Sequence, residues 1–222
     1  MDKIFFHDAF GRTLCGILDG PKQKVRPMII LCHGLRSSKD SLTNIKIGEK
    51  LWSENISTFR IDLFGHGESE STLEDSSVRI FTESVIGAID HLKNQGYTKI
   101  GIYAASFGGV ASVIAAAEQR DLILLALKSP GMGQTSRHMM QFKKDFDEGT
   151  WFRAAECITI PTLIVHGDAD ENVELEQGQR LMRAIDKSKL VIVPGADHTY
   201  SKPADFEMMI KYLSDFIIEK CY

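Results

Sequence analysis

Residues 100–110 read IGIYAASFGGV and carry the strongest indication of the fold. An apolar run typical of a strand leads directly into Ser106, and the small residues of a closely packed helix follow at once. A serine on so tight a turn projects its hydroxyl out of the sheet. The backbone N–H of Phe107, at the helix N-terminus, then faces any negative charge that forms there. Ala104 and Gly108 are small enough to let strand and helix approach each other around the serine.

Strand-like runs and helical patterns alternate on both sides of this turn. The chain is expected to open with a hairpin over residues 3–18. Further strands are predicted at residues 27–33, 56–63, 99–105, 123–127, 161–166 and 190–193, and helices at 41–54, 78–94, 107–118, 174–185 and 203–218. Strands separated by helices of this length imply a mainly parallel sheet with helices on both faces. In such a sheet the functional groups lie on loops beyond the carboxyl ends of the strands.

The length and composition limit the classes of protein to which this chain can belong. A chain of 222 residues can bury about 70% of its unfolded surface around one core, so a single domain over residues 1–222 is expected. Hydrophobic residues at 43% and charged residues at 25% are ordinary for a globular protein. The net charge of −4 argues against a nucleic-acid binder that relies on a general basic surface.

Apolar runs, the first residues and the cysteines bear on location and metal binding. No apolar run approaches the roughly 20 residues of a membrane-spanning helix. The first residues, MDKIFFHDAF, lack the features of a secretory signal, so a cytoplasmic protein is expected. The four cysteines are far apart, with no CxxC pair and no zinc-type spacing, so neither a disulfide framework nor a metal site is expected.

Four segments in order resemble the α/β-hydrolase family. They are HGL at residues 33–35, GHGES at 65–69, ASFGG at 105–109, and the pair GDAD at 167–170 with DH at 197–198. The family's serine turn is written G-x-S-x-G, and this chain has Ala104 at the first glycine. The opening hairpin and the spacing of HGL and GHGES are similar to the cinnamoyl/feruloyl-esterase and monoacylglycerol-lipase side of the family. The resemblance implies an α/β-hydrolase fold with a short cap after the sixth strand.

The resemblance also implies site residues. Ser106 would be the nucleophile, His198 the base, and Asp170 the acid that orients the base, with Asp168 shaping the turn. The oxyanion hole would consist of the backbone N–H groups of Phe107 and Leu35. The histidines of the HGL and GHGES segments are interpreted as shaping their loops, and no metal or organic cofactor is implied.

The segment at residues 131–158 interrupts the alternation of strands and helices. It has no strand-like run and mixes apolar with charged residues, and it is too long for a plain connection. One interpretation is a short cap whose Met132, Met139 and Trp151 line the substrate pocket, since methionine adapts to irregular shapes. The other is a helical excursion whose apolar residues pack as core.

Together these features predict a serine hydrolase that cleaves a carboxylic ester of small or medium acyl chain through an acyl-enzyme intermediate. The same residues could serve a thioesterase, an acyltransferase or a peptidase. A non-catalytic protein of this fold that binds a ligand is a further alternative. The expected partner is a small acyl substrate; a homodimer is permitted but not required, and the substrate's identity is not encoded in any motif.

Overall fold

A computed structural model describes residues 1–21, 23–133 and 147–222. Its strands are β1 Asp2–His7, β2 Thr13–Asp19, β3 Met28–Cys32, β4 Ser57–Asp62, β5 Ile100–Ala105, β6 Leu125–Lys128, β7 Thr162–Gly167 and β8 Ser188–Val193. The α-helices of the described residues are α1 Leu42–Ser53, α2 Val78–Asn94, α3 Phe107–Glu118, α4 Glu148–Ala155, α5 Leu175–Ala184 and α6 Pro203–Cys221. A short 3₁₀ helix covers Leu73–Asp75.

The strands form one sheet in the order β1-β2-β4-β3-β5-β6-β7-β8. The β1–β2 hairpin pairs antiparallel and joins β4 antiparallel, and from β4 to β8 every neighbouring pair is parallel. The prediction of an α/β-hydrolase fold with a mainly parallel sheet is confirmed.

Two core clusters of buried apolar side chains cover the sheet, one on each face. The larger core cluster lies on the face covered by α2, α3, α4 and α5. In β3, Met28 and Ile30 belong to the cluster on one face and Ile29 and Leu31 to the cluster on the other, as the alternation of a strand requires. All five residues of this strand are buried, so it reads as a continuous apolar run. Helices α1 and α6 pack on one face, and α2, α3, α4 and α5 pack on the other.

The strand register brings the predicted site segments to the same edge of the sheet. Cys32, at the end of β3, pairs with Ala104 of β5, and Lys128, at the end of β6, pairs with both Ala105 and Val165. The end of β7 pairs in turn with the end of β8. Because these strands are parallel, the loops after β3, β5, β7 and β8 emerge side by side.

The segment at residues 131–158 is described at 131–133 and 147–158. Its helix α4 packs against α3 and α5 and contributes Trp151, Phe152 and Ala155 to the larger core cluster. The described part of the segment therefore matches the interpretation of a helical excursion packed beside the sheet. Residues 134–146 of the expected cap at 131–158 lie outside the described residues, so the cap itself stays a prediction.

Within the described ranges, no helix combines the length and the apolar character that crossing a bilayer requires.

Candidate active site

Ser106 lies between β5 and α3 in a backbone conformation that is unusual for any residue except glycine. Its φ is 52° and its ψ is −125°, and helix α3 begins at the next residue. A positive φ costs a non-glycine residue on the order of 1–3 kcal/mol, and it persists only where the surroundings hold it. Here the Ser106 N–H donates to the Lys128 carbonyl oxygen at 2.8 Å, which ties the turn to the adjacent strand. The turn thus presents the serine side chain at the sheet edge, as predicted for residues 100–110.

The neighbouring glycines are required by close contacts. A Cβ on Gly108 would lie 2.2 Å from the His33 carbonyl oxygen, and a Cβ on Gly34 would lie 3.1 Å from the Ser106 Cβ. The loop after β3 therefore rests directly against the serine turn. Ala104, which departs from the family pattern, points its methyl group into the larger core cluster and is fully buried. The departure at Ala104 leaves the turn intact because the methyl group faces the core.

Three polar side chains from distant parts of the sequence form a chain of hydrogen bonds. Ser106 Oγ lies 3.0 Å from His198 Nε2, and His198 Nδ1 lies 2.7 Å from Asp170 Oδ2. With the imidazole proton on Nδ1, the serine donates to the histidine and the histidine donates to the aspartate. Asp170 is the member that is removed from solvent, and His198 and Ser106 are partly exposed. The structure brings together all three residues that the sequence analysis named.

Asp170 is held by donors on both of its oxygens. Its Oδ1 accepts the N–H groups of Asn172 at 3.0 Å and Val173 at 2.8 Å, and its Oδ2 lies 3.4 Å from His166 Nε2 in addition to His198. Burial opposes ionisation of the carboxyl, but the hydrogen bonds from His166, His198 and Val173 outweigh it and hold the pKa of Asp170 below its usual value. Asp170 is therefore a carboxylate at neutral pH.

Asp168, two residues earlier, bonds to the backbone of Gly195 and not to the His198 ring. It is exposed, and its Oδ1 accepts the Gly195 N–H at 2.5 Å. This bond links the loop after β7 to the loop that carries His198, which matches the interpretation that Asp168 shapes the turn.

A cavity of about 420 Å³ opens above the serine. Ser106, His198, Leu35 and Phe107 line it, so the two residues predicted to form the oxyanion hole border the same space as two members of the hydrogen-bonded chain. Phe107 is the first residue of α3, so its backbone N–H lies at the positive end of the helix dipole. In the described part of the chain, no cluster of three or more histidine, cysteine or acidic residues is arranged to hold a metal ion.

Two histidines fasten the loop that carries Leu35. His33 Nε2 accepts the Leu63 N–H at 3.1 Å, and its Nδ1 donates to the Gly34 carbonyl oxygen at 2.7 Å. His66 Nε2 accepts the Arg36 N–H at 3.0 Å, and its Nδ1 donates to the Phe64 carbonyl oxygen at 3.1 Å. Each ring works as one donor and one acceptor, which only the neutral form can do.

A buried ion pair adds a second fastening to the same loop. Lys39 Nζ lies 2.7 Å from Asp62 Oδ2, and the Lys39 N–H donates to Asp62 Oδ1 at 2.7 Å. Both side chains are buried, and Lys39 Nζ also lies 2.9 Å from Glu68 Oε1, so the carboxylates of Asp62 and Glu68 compensate the lysine charge. The loops after β3 and β4 are thereby joined beside the cavity.

The two loop histidines predict a loss of stability in acid. Burial and the neighbouring His66 lower the pKa of His33 to about 4, and burial lowers the pKa of His66 as well. The unfolded chain therefore takes up protons from about pH 6.5 downward, before the folded protein does. For His33 alone, we expect the free energy of unfolding to fall by about 2–3 kcal/mol between pH 7 and pH 4.5, measured by urea denaturation.

The matched variants for this measurement are His33→Gln, which keeps a donor and an acceptor without titrating, and His7→Gln on the exposed end of β1. His33→Gln should lose clearly less stability between the two pH values than the wild type, while His7→Gln should follow the wild type. An equal acid loss in His33→Gln and the wild type would contradict this account of the loop.

The structure differs from the sequence analysis at the predicted pocket residues. Met132 and Trp151 were expected to line the pocket, but both are buried in the larger core cluster. Of the described residues in that region, Gly133 lines the cavity. Gln177 explains the placement of Met132, because its side-chain amide bonds both the N–H and the carbonyl of Met132 and fixes the backbone there. Met139 lies outside the described residues.

Lys128, which also lines the cavity, was not among the residues predicted for the site. A signal was present, since this lysine directly follows the apolar run at residues 122–127 and ends the strand next to the serine turn. The pattern predicts a buried position there, and a charged residue at a buried position is a candidate for function.

Two family models match the chain. The model described as serine aminopeptidase, S33, matches residues 23–149, which is more than half of the chain, and the model described as TAP-like protein matches residues 146–218. Among curated proteins, two from Mycobacterium tuberculosis named "Putative phosphoribosyl transferase" are 25% identical over 201 residues, which cover 89% of this chain. The chain spans only 42% of the length of those relatives.

Solved structures of similar fold include Est1E from Butyrivibrio proteoclasticus with ferulic acid bound, with a TM-score of 0.85 and 23% identity over 98% of both chains. The monoacylglycerol lipase of Paleococcus ferrophilus superposes with a TM-score of 0.77 and 18% identity, covering 93% of this chain and 99% of that one. At these identities the likeness shows the fold. With the fold, the serine turn and the family match in agreement, this chain belongs to the α/β-hydrolases, in the family described as serine aminopeptidase, S33.

Proposed function

We propose that this protein is a serine hydrolase that cleaves carboxylic esters through Ser106, His198 and Asp170. The observation that carries the proposal is the unbroken chain of hydrogen bonds from Ser106 Oγ through the imidazole to the buried carboxylate. A serine hydroxyl is a weak nucleophile unless a base takes its proton, and that base works best when a third group orients it.

In the acylation step, Ser106 Oγ attacks the ester carbonyl carbon while its proton passes to His198 Nε2. Asp170 accepts the Nδ1–H throughout and stabilises the imidazolium. The backbone N–H groups of Leu35 and Phe107 receive the oxyanion, at about 3–4 kcal/mol of transition-state stabilisation for each donor in comparable sites. The imidazolium then protonates the alkoxide as it leaves, and the acyl group stays on the serine.

In the deacylation step, His198 takes a proton from water, and the resulting hydroxide attacks the acyl-serine carbonyl. The same two N–H groups receive the second oxyanion. Collapse of that intermediate returns the proton to Ser106 Oγ and releases the carboxylic acid. Neither step requires a metal or an organic cofactor.

The charge around the cavity favours ester over aminopeptidase substrates. An aminopeptidase must bind the free ammonium group of its substrate, which calls for a carboxylate near the nucleophile. Among the described residues that line the cavity there is no aspartate or glutamate, and the charged ones are Arg36 and Lys128. We therefore propose an ester substrate although the family model carries an aminopeptidase description.

A fluorophosphonate probe tests the nucleophile directly. We expect the wild type to be labelled on Ser106, Ser106→Ala to lose the label, and Ser112→Ala, a change at a buried serine further along α3, to keep it. Labelling of Ser106→Ala at the wild-type level would overturn the assignment. Absence of label on folded wild type would favour a protein that binds a ligand without turning it over.

A substrate panel separates the alternatives that share this machinery. Feruloyl esters, monoacylglycerols, short alkyl esters, acyl thioesters and aminoacyl amides are compared at equal concentration. Highest kcat/KM on esters supports the proposal, and highest kcat/KM on thioesters or amides replaces it with a thioesterase or a peptidase.

A further inference from the structure

A buried lysine stands beside the proposed nucleophile and has no part in the mechanism described above. Lys128 ends β6, and its side chain is only 8% exposed although it lines the cavity above Ser106. Its Nζ donates to the His198 carbonyl oxygen at 2.6 Å and lies 5.1 Å from the centre of the Tyr200 ring. An ammonium group has three N–H donors, so the bond to His198 leaves two for another acceptor.

The surroundings of Lys128 leave its charge poorly compensated. Burial lowers the pKa of Lys128 to about 8, while the carboxylates of Asp170 and Asp197 favour its charged form from a distance. Among the described residues, no carboxylate lies within the 4.0 Å of a salt bridge to Lys128 Nζ. The ammonium is therefore mostly protonated at pH 7, and an acceptor of negative charge would stabilise it.

The rest of the cavity adds to this positive character. Arg36, next to the proposed oxyanion residue Leu35, is exposed and lines the same space. Among the described residues that line the cavity, Arg36 and Lys128 carry charge and both are positive. A cleft lined by one sign of charge concentrates ligands of the opposite sign.

We propose that this site selects esters that also carry a carboxylate, and that the ammonium group of Lys128 receives that carboxylate. The inference rests on the proposed ester hydrolysis and names its substrate class. An ion pair between an ammonium and a carboxylate is a charge-assisted hydrogen bond, about twice as strong as a neutral one. In a partly buried cavity it would also return to Lys128 part of the solvation that burial removes.

A purely structural role would give a different result. Lys128 could serve only to hold the His198 loop through the backbone carbonyl, in which case its loss would slow all substrates alike. Lys128→Gln addresses this point because glutamine keeps a donor for the carbonyl and removes the charge. Lys202→Met is the matched control, since Lys202 Nζ also donates to a carbonyl of this loop, that of Gly195 at 3.1 Å, but the side chain is exposed and is not among the described residues that line the cavity.

The experiment compares pairs of esters that differ by one group. The monoethyl esters of succinate, glutarate and adipate are measured against ethyl butanoate, pentanoate and hexanoate, in which a methyl group replaces the carboxylate. A second arm, 4-acetoxybutanoate against butyl acetate, places the carboxylate on the alcohol side. Acid release is followed by pH-stat titration, and the readout is the ratio of kcat/KM for the anionic ester to that for the neutral ester.

We expect the ratio to be about tenfold or more in the wild type at pH 7 for at least one pair. Lys128→Gln should lower that ratio to near one while it retains activity on the neutral ester, and Lys202→Met should leave the ratio unchanged. A wild-type ratio near one for every pair, or a ratio that survives in Lys128→Gln, would overturn the inference. The arm that shows the preference assigns the carboxylate to the acyl or the alcohol part.

A pH series on the wild type keeps the test independent of any variant. Because kcat/KM reports the free enzyme, the preference for the anionic ester should decline as the pH rises from 7 to 9.5 and Lys128 loses its proton. A constant ratio over that range would also count against Lys128. If no ester of either kind is hydrolysed, the proposed function fails, whereas equal hydrolysis of both kinds refutes only the selectivity.

Discussion

Ser106→Ala is expected to lower kcat for ester hydrolysis by about ten-thousandfold or more, while the protein stays folded. The residue occupies a strained turn whose backbone bonds do not involve the hydroxyl, so alanine fits the same conformation. Without Oγ there is no nucleophile for the imidazole to activate. The measurement is steady-state hydrolysis of p-nitrophenyl acetate, with circular dichroism and thermal unfolding as checks of the fold.

The double variant makes this prediction sharper. If Ser106 and His198 act as one unit, Ser106→Ala combined with His198→Ala should cost about as much as either change alone. Two independent contributions would instead multiply. A double variant far slower than both single variants would contradict the shared role that their 3.0 Å contact suggests.

Asp170→Asn is expected to lower kcat by a similar factor, about ten-thousandfold, with little effect on the backbone. The carboxylate Oδ1 accepts two backbone N–H groups, and the amide oxygen of asparagine would keep that place. The amide NH₂ would then face His198 Nδ1 as a donor and force the imidazole proton onto Nε2. In that tautomer the histidine cannot accept the proton of Ser106, and the negative charge that stabilises the imidazolium is also absent.

Asp168→Asn is the matched control for this change. Asp168 is exposed, and its carboxylate accepts the Gly195 N–H, which an amide oxygen can also accept. We expect kcat close to that of the wild type in the same assay. A large loss in Asp168→Asn together with a small loss in Asp170→Asn would exchange the roles of the two aspartates.

The order of the elements was readable from local patterns. The amphipathic spacing of α2 and the small residues of α3 predicted both helices at the bounds that the structure shows, Val78–Asn94 and Phe107–Glu118. The strand ends were less accurate, as in β8, which begins at Ser188 where the apolar pattern predicted residue 190. The ends of a strand depend on hydrogen bonds to its neighbour, here the pairing of Thr162 with Ser188, and these leave no periodic signal.

The residues of the candidate site were also predicted only in part. The positions of Ser106, Asp170 and His198 could be named because each follows a strand pattern within a recognisable motif. Met132 and Trp151 could not be assigned correctly, because composition does not tell whether an apolar side chain faces a cavity or a core. That choice depends on distant partners, such as the Gln177 amide that fixes the backbone of Met132.

Patterns along the chain were enough to predict the class of fold, the order of its strands and helices, and the three side chains proposed for catalysis. These features depend on periodicity, small residues and short motifs, all of which are local. Three features became visible only in the folded chain: Lys128 is buried in the cavity above Ser106, His33 and His66 hold the loop of Leu35, and the charged residues among the described cavity lining are cations. Burial and charge balance arise from residues that are far apart in the chain and meet only when the sheet is assembled.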